Sequence, residues 1–375
     1  MSNHPIATLV TDSRILVCCG AGGVGKTTTA ASLGLAGARA GRRVLVLTID
    51  PSKRLAEAMG VSPHETEPQP PPPEFLKAAG IAAPGSLEVW MLDPRYISDT
   101  TVKRLAGTPE RAKRLLENRV YQNVTSMIAG MQEYTAMEAL YRFLEADRYD
   151  LVILDTPPSR NALNFLEGPT RLGKFFDGRI FQLFLPQRQG MIRQAASKVI
   201  GRVLSAVFGE SFYNEFQSFL ENFSDIFRVL TTNAVEMREH LSRDDAAFIL
   251  VTSPSEEAME EAHFFRAQTK EMNLPFRAFI LNRSNAMEMS EKRRPEASDL
   301  GKEPLSDAAR QGLAKVQAMA DQEIESAKEH LALLGQLKRE AGPGAVACPL
   351  PLFPGGVDDV EGLVTLSKAI MVAKG

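Results

Sequence analysis

A glycine-rich stretch near the start of the chain has the residue types and the spacing of a phosphate-binding loop. Residues 20–28 read GAGGVGKTT and fit the pattern G-x-x-x-x-G-K-[ST]. Glycines let successive backbone N–H groups turn towards a phosphate without a clash from a Cβ atom. A lysine at this spacing would reach the β- and γ-phosphates, and the hydroxyl that follows it would bind Mg²⁺. The predicted nucleotide site therefore contains Gly22, Gly23, Val24, Gly25, Lys26, Thr27 and Thr28.

The segments on either side of this loop agree with that prediction. Residues 14–19 form an apolar run typical of a buried strand, and residues 29–35 have the composition of a helix. The start of that helix would add its partial positive charge and its free N–H donors to the site. A glycine-rich turn without a ligand is the alternative, and the agreement of strand, loop, Lys-Thr pair and helix argues against it.

Two aspartates at predicted strand ends could complete the chemistry, since hydrolysis needs a held Mg²⁺ and an aligned water. Asp155 follows four apolar strand residues and has the form of a Walker B carboxylate, so we predict that it and Thr27 hold the metal. Asp50 follows the second strand, where an open parallel sheet places its ligand-contacting loops. For both aspartates the alternative is a side chain that caps a turn or a helix.

The elements that must position these residues alternate between strand and helix along the chain. Apolar runs rich in β-branched residues predict strands, and 3.6-residue periodicity predicts helices. The predicted strands are 14–19, 43–49, 87–93, 149–154, 246–252, 276–281 and 345–348. The predicted helical regions are 29–40, 52–60, 96–148, 160–242, 256–270, 313–337 and a segment ending near 373, with a proline-rich spacer at 68–73.

This order predicts an α/β fold: a P-loop NTPase with a doubly wound, mainly parallel sheet and an inserted helical subdomain. We expect residues 1–375 to form a single P-loop ATPase domain, with the helical subdomain inserted at about 96–148 and 160–242.

Composition and charge narrow the class of protein. The 375 residues carry 43 Lys and Arg against 46 Asp and Glu, a net charge of -3 that argues against a nucleic-acid partner. Cys18, Cys19 and Cys348 form no disulfide framework, because adjacent strand residues point to opposite faces. Residues 1–13 lack a signal-peptide pattern, and no apolar run is long enough to span a bilayer. We therefore expect a cytoplasmic protein.

Several motifs together resemble the arsenite-pump (ArsA) and tail-anchored-protein targeting (GET) family of dimeric ATPases. The GGVGKTT core resembles that family's deviant Walker A motif, and Asp50-Pro51 resembles its first switch. Residues 155–166, DTPPSRNALNFL, resemble the second switch, which begins Asp-Thr-x-Pro. Residues 281–283 and 351–353 are similar to the loops that bind the base, and residues 118–123 and 132–134 to the branch labelled anion-transporting ATPases.

The resemblance implies an ATP-hydrolysing dimer that uses ATP/ADP and Mg²⁺, formed with itself or with a paralogue. It implies that Lys26 is catalytic on the phosphates and that Asp50 orients the attacking water. It implies that Asn282 favours adenine and that Pro351 and Leu352 cover the base. The family's helical subdomain also implies a hydrophobic protein client, with only indirect membrane contact.

The chain departs from the family's pattern in ways that bear on turnover and on metals. The family carries a second lysine near the start of its loop, where this chain has Ala21. Lys53 or Arg54 could substitute for it, although both could equally be solvated surface cations. The five histidines are scattered and the Cys-x-x-Cys pair of the targeting factors is missing, so we expect no structural zinc. Arsenite pumps are tandem duplications with a cysteine site, whereas this sequence has one phosphate loop and no cysteine cluster in its helical part, so we expect no stimulation by arsenite.

Residues 191–208 place apolar side chains on one helical face, and Met127, Met131, Met137 and Met191 would suit an adaptable groove. This face could belong to the core of its own domain, to a client groove or to a membrane-contacting surface.

Two other functions remain open at this stage. One is a nucleotide-gated scaffold with negligible hydrolysis, which the Ala21 replacement favours. The other is a partition-type positioning ATPase that acts at a membrane surface through a basic terminal helix. Residues 361–374 hold only Lys368 and Lys374 as cations, and we expect their Leu363, Leu366 and Ile370 face to close the domain.

Overall fold

A computed structural model of the chain describes most of its length, in two compact units. Described are residues 4–50, 52–81, 86–122, 131–157, 202, 205–206, 209–286, 294–296, 299, 306–353, 356–357 and 359–373. The sheet unit comprises the described residues within Met1–Met91, Tyr149–Arg160 and Ser242–Gly375. The helical unit comprises those within Leu92–Arg148 and Asn161–Leu241.

The sheet unit is built on seven parallel strands in the order β3-β2-β4-β1-β5-β6-β7. These are β1 (Ile15–Cys19), β2 (Val44–Thr48), β3 (Leu87–Met91), β4 (Leu151–Asp155), β5 (Ala246–Thr252), β6 (Phe276–Ser284) and β7 (Val346–Pro351). Every residue of β1, β2, β4 and β5 is buried, as expected of parallel strands covered on both faces. The predicted α/β fold and all the predicted strands are confirmed.

Eleven helices are delimited in the described part of the chain. In the sheet unit they are α1 (Pro5–Asp12), α2 (Lys26–Arg39), α3 (Arg54–Met59), α4 (Pro73–Ala78), α9 (Glu256–Glu271), α10 (Asp307–Ala341) and α11 (Val360–Val372). In the helical unit they are α5 (Pro94–Leu105), α6 (Pro109–Leu116), α7 (Met131–Glu145) and α8 (Glu210–Leu241).

The central position of β1 decides where ligand-contacting residues can meet. It pairs with β4 on one side and with β5 on the other, and the chain reaches these two neighbours through separate crossovers. In an open parallel sheet the carboxyl ends of all strands lie at one edge, and ligands bind where the strand order reverses. The segments that follow β1, β2, β4 and β6 therefore leave the sheet at the same edge.

Helix α2 lies very close to the sheet because two of its residues are glycines. A Cβ atom built on Gly34 would lie 2.4 Å from Cγ2 of Val46, and one on Gly37 would lie 3.0 Å from Cγ2 of Val44. Helix α11 packs against α2. Its Leu363, Leu366 and Ile370 are at most 1% exposed, so this face closes the domain as predicted.

Three segments differ from what the sequence predicts. Helix α1 lies where the sequence indicates a polar start, and helix α4 follows the proline-rich spacer in a stretch for which the sequence predicts no helix. Gln69 forms an antiparallel bridge with Val89, and its backbone N–H donates to the Val89 carbonyl at 3.0 Å, so the proline-rich segment adds to the sheet edge. Helix α10 buries Ala327, Leu334, Leu337 and Ala341 only, whereas the predicted stripe extended back to residue 313.

In the helical unit, α5, α6 and α8 share an apolar core with Val120 and Tyr121. Its buried polar groups are paired: the Asn118 side chain donates to the Glu215 carbonyl at 2.9 Å, and Asn233 donates to Glu138 at 3.0 Å. Burial raises the pKa of Glu138, and Arg104 forms an ion pair with it.

The apolar helical face predicted at residues 191–208 lies almost wholly outside the described residues. Of the methionines that would suit a groove, Met137 is 1% exposed.

The close approach of α2 to the sheet predicts opposite effects for two Gly→Ala substitutions. Gly34→Ala should lower the free energy of unfolding by about 1–3 kcal/mol, because Val46 must shift to admit the new methyl group. Gly312 in α10 is the matched control, since a Cβ there meets no atom within 4 Å. Gly312→Ala should raise stability by about 0.5–1 kcal/mol through helix propensity. Urea unfolding of both variants measures the difference, and a gain in both would contradict the packing argument.

Candidate nucleotide site

The loop between β1 and α2 depends on two glycines that no other residue could replace without strain. Gly20 has φ +145°, and a Cβ on it would lie 2.0 Å from the backbone oxygen of Val251. Gly25 has φ +92° and starts α2 in the left-handed region, with no side chain capping the helix. The backbone N–H groups of the first turn of α2 are therefore available to a phosphate. Gly22 and Gly23 are exposed on the loop, and Val24 is buried beneath it.

The Lys26 ammonium lies under the loop. Its Nζ donates to the backbone oxygen of Ala21 at 2.7 Å, and the residue is 5% exposed. Burial lowers the pKa of Lys26, and the carboxylates of Asp155 and Asp50 oppose that change. A cation held in this position meets an anionic ligand without having to be ordered first.

The carboxylate of Asp155, at the end of β4, is completely buried and unevenly hydrogen-bonded. Its Oδ2 accepts from the hydroxyl of Thr27 at 2.8 Å and from that of Thr48 at 3.0 Å. Its Oδ1 has no hydrogen-bond partner among the described residues. Burial raises the pKa of Asp155 to about 6, while the two hydroxyls and Lys26 act in the opposite direction.

This donor set fits a magnesium ion. The hydrogen of the Thr27 hydroxyl goes to Asp155, so the lone pairs of that oxygen remain for a cation. The unpartnered Oδ1 of Asp155 could accept from water in the metal's shell. Mg²⁺ typically takes one or two protein oxygens, together with phosphate oxygens and water. Within the described ranges no group of three or more His, Cys, Asp and Glu side chains could hold a metal ion.

Asp50 lies just after β2 and is partly buried. Its Oδ1 accepts from the backbone N–H of Ser52 at 2.8 Å, and its own N–H donates to Oγ1 of Thr48 at 3.1 Å. The structure thus joins Asp50 to Asp155 through Thr48, a residue that sequence reasoning missed. The signal available in the sequence was a hydroxyl side chain at the carboxyl end of a buried strand, two residues before the aspartate.

Asn282, in β6, contacts the loop directly. Its Nδ2 donates to the backbone oxygen of Val24 at 2.8 Å, and a Cβ on Gly25 would lie 2.3 Å from the same nitrogen. The side chain predicted to contact the base is therefore also hydrogen-bonded to the phosphate loop. Its Oδ1 remains as an acceptor, which is the group that an adenine amino group requires.

The remaining predicted residues lie at the edges of the site or outside the described residues. Pro351 ends β7 and pairs in register with Ser284, and Leu352 after it is 49% exposed. Lys53 and Arg54 are exposed. Pro51 and residues 158–166 of the second-switch motif are not described.

None of the three cysteines takes part in a disulfide. Cys18, Cys19 and Cys348 are free and buried, as the sequence predicts. Burial raises the pKa of Cys19 to about 12 and that of Cys18 well above its usual value, so both remain thiols at neutral pH.

Together, the parallel sheet, the glycine loop before α2 and the Thr27–Asp155 contact define a P-loop NTPase fold. The family model described as "Anion-transporting ATPase" matches residues 13–299. The chain therefore belongs to this family.

The chain shares low sequence identity with the individual relatives that it matches. The chain is 24% identical to "Putative arsenical pump-driving ATPase 1" of Aquifex aeolicus over 66% of this chain and 58% of that protein. It is 31% identical to an uncharacterised protein of Streptomyces coelicolor over 51% of this chain and 44% of that protein. It is 28% identical to "ATPase GET3" of Kluyveromyces lactis over 45% of this chain and 50% of that protein. The chain spans about half the length of the curated relatives it matches.

The contact between Asn282 and Val24 predicts that Asn282→Ala weakens binding of a ligand without a base. Tripolyphosphate affinity should fall by about fivefold, because the Val24 carbonyl loses its donor and the loop loses a support. Isothermal titration with tripolyphosphate and with ATP measures both effects. Asn285→Ala is the matched control, since its Nδ2 bonds Ser326 instead. If tripolyphosphate affinity is unchanged while ATP affinity falls, Asn282 acts on the base alone.

Proposed function

We propose that this protein binds ATP with Mg²⁺ at the site between β1 and α2 and hydrolyses it to ADP and phosphate. The observation that carries this proposal is the pair of hydrogen bonds that the Thr27 and Thr48 hydroxyls donate to the Asp155 carboxylate. They occupy one carboxylate oxygen and leave the other buried and without a partner among the described residues. The family membership and the relatives named as ATPases support the same chemistry.

Each residue has a stated role in the proposed reaction. The backbone N–H groups of Gly23, Val24 and Gly25 and the first turn of α2 bind the phosphates, and Lys26 neutralises charge on the β- and γ-phosphates. Thr27 and Asp155 would hold the magnesium ion, which when bound neutralises charge that develops on the phosphate oxygens. Asp50 orients the attacking water, and Asn282, Pro351 and Leu352 enclose the adenine base.

We also propose that the sheet unit and the helical unit form one ATPase domain, with the helical subdomain inserted at about 96–148 and 160–242. In this proposal the protein works as a homodimer, or as a heterodimer with a paralogue. The nucleotide state then controls binding of a hydrophobic protein client to the helical subdomain. Movements that begin at Asp50 and Asp155 would change how the two subunits are arranged.

Ala21 favours a second candidate, a nucleotide-gated binding protein with very slow turnover. Its side chain is 8% exposed and carries no charge, so it cannot reach a partner subunit's nucleotide as a lysine could. Lys53 and Arg54 are the exposed cations nearest in sequence to Asp50 that could take this role. The hydrolysis rates of Lys53→Ala and Arg54→Ala test whether either cation replaces the missing lysine. A lower rate would support that role, and unchanged rates in both variants would exclude it.

Phosphate release tests the ATPase directly. Lys26→Ala should lower the steady-state rate by at least about 100-fold, because a buried cation that faces the phosphates is lost. Lys77→Ala on the exposed side of α4 is the control and should keep the wild-type rate. A wild-type rate no higher than that of Lys26→Ala, in a protein that still binds ATP, would favour the gated binding protein.

The proposed dimer is tested by light scattering coupled to size exclusion with no nucleotide, with ADP and with ATP. We expect a dimer mass with ATP for the wild type, and a lower dimer fraction for Lys26→Ala, because its nucleotide affinity is reduced. A monomer mass under all three conditions at micromolar concentration would contradict the dimeric switch.

A further inference from the structure

The side chain of Thr48 connects the two acidic segments of the site. Its hydroxyl donates to Oδ2 of Asp155 at 3.0 Å and accepts from the backbone N–H of Asp50 at 3.1 Å. Thr48 is 1% exposed and is the last residue of β2, where it pairs in register with Asp155 on β4. No motif of the family resemblance includes this residue.

A hydroxyl group can make this connection because it has one donor and two acceptor sites. The single hydrogen of Thr48 is used on Asp155, and one of its lone pairs is used by Asp50. Together with the Thr27 hydroxyl, it saturates one oxygen of the Asp155 carboxylate and fixes the direction of the other. Valine has the same shape as threonine but offers neither the donor nor the acceptor.

We propose that Thr48 is a positioning residue that holds the Asp155 carboxylate in the orientation needed for Mg²⁺ and holds the Asp50 segment against it. The inference rests on the proposed ATPase function and adds a residue to its metal site. The metal site and the water-orienting segment would then share one side chain. Removing the hydroxyl of Thr48 should therefore weaken both.

The test compares ADP affinity with and without Mg²⁺ in variants of Thr48. We define the magnesium gain as the ratio of the affinity for ADP with Mg²⁺ to the affinity with EDTA, measured by titration calorimetry. Thr48→Val should reduce this gain about tenfold, because a hydrogen bond to the metal's carboxylate is lost. Thr48→Ser keeps the hydroxyl and should restore most of the gain. ATP hydrolysis by Thr48→Val should show a lower kcat at saturating Mg²⁺.

Thr252→Val provides a matched control. Thr252 is also a fully buried threonine at the end of a strand, but its hydroxyl donates to the backbone oxygen of Ala258, which belongs to α9. A general loss of packing or of a buried hydroxyl would affect both variants, whereas the proposal expects the wild-type magnesium gain in Thr252→Val. Circular dichroism establishes that each variant is folded, and Thr48→Ala replaces Thr48→Val if the latter does not fold.

The outcomes separate this inference from the proposed function. A magnesium gain in Thr48→Val within twofold of the wild-type value overturns the positioning role. An equal loss in Thr48→Val and Thr252→Val also overturns it. If the wild type binds ADP equally with and without Mg²⁺, the metal site of the proposed function fails, and the positioning role fails with it. A selective loss in Thr48→Val, restored in Thr48→Ser, supports the inference.

Discussion

A buried carboxylate sets the requirement that the rest of the nucleotide site must meet. Asp155 is completely buried at the end of β4, and a charge in that position is costly unless donors surround it. Lys26 and Thr27 lie in the first turn of α2, and Thr48 ends β2. Each of the three favours the charged form of the Asp155 carboxylate. Because the hydrogen bonds from Thr27 and Thr48 use only one carboxylate oxygen, the other has no partner among the described residues and is left for a ligand. The same arrangement that makes burial of Asp155 tolerable therefore leaves the carboxylate oxygen that the proposed magnesium site would use.

The phosphate loop is held from two sides by close backbone approach. Gly20 lies against the backbone oxygen of Val251 at the end of β5, and Gly25 lies against the amide of Asn282 in β6. Since β1 is paired with β5, and β5 with β6, the sheet itself fixes both supports. The loop conformation thus depends on strands that are more than 200 residues away in sequence but adjacent in the sheet.

Sequence periodicity predicted the sheet well, because parallel strands buried on both faces are continuous apolar runs that few other elements resemble. The roles of Thr48 and the second contact of Asn282 could not be predicted in this way. Both contacts join segments that are distant in the chain, and the sequence around Thr48 shows only a hydroxyl residue at a strand end, without its partner. Helices α1 and α4 were missed for a different reason: both are short and begin with a proline, so neither is long enough to establish a helical period. In α10 the apolar stripe continues beyond the part that packs, so periodicity overstated its buried length.

In the proposed reaction, Ala21 takes the place of the second lysine that the family resemblance implies, and the other residues of the site are present in this chain. The backbone oxygen of Ala21 holds Lys26 in place, and any residue at this position would provide that oxygen. The groups that would hold phosphate and metal within one chain, which include Lys26, Thr27 and Asp155, need nothing from the side chain at position 21. In the proposed dimer, a lysine at this position would act on the nucleotide of the partner subunit. Under the proposed function, nucleotide binding therefore needs no lysine at position 21, whereas the hydrolysis rate would depend on whether another cation reaches the γ-phosphate.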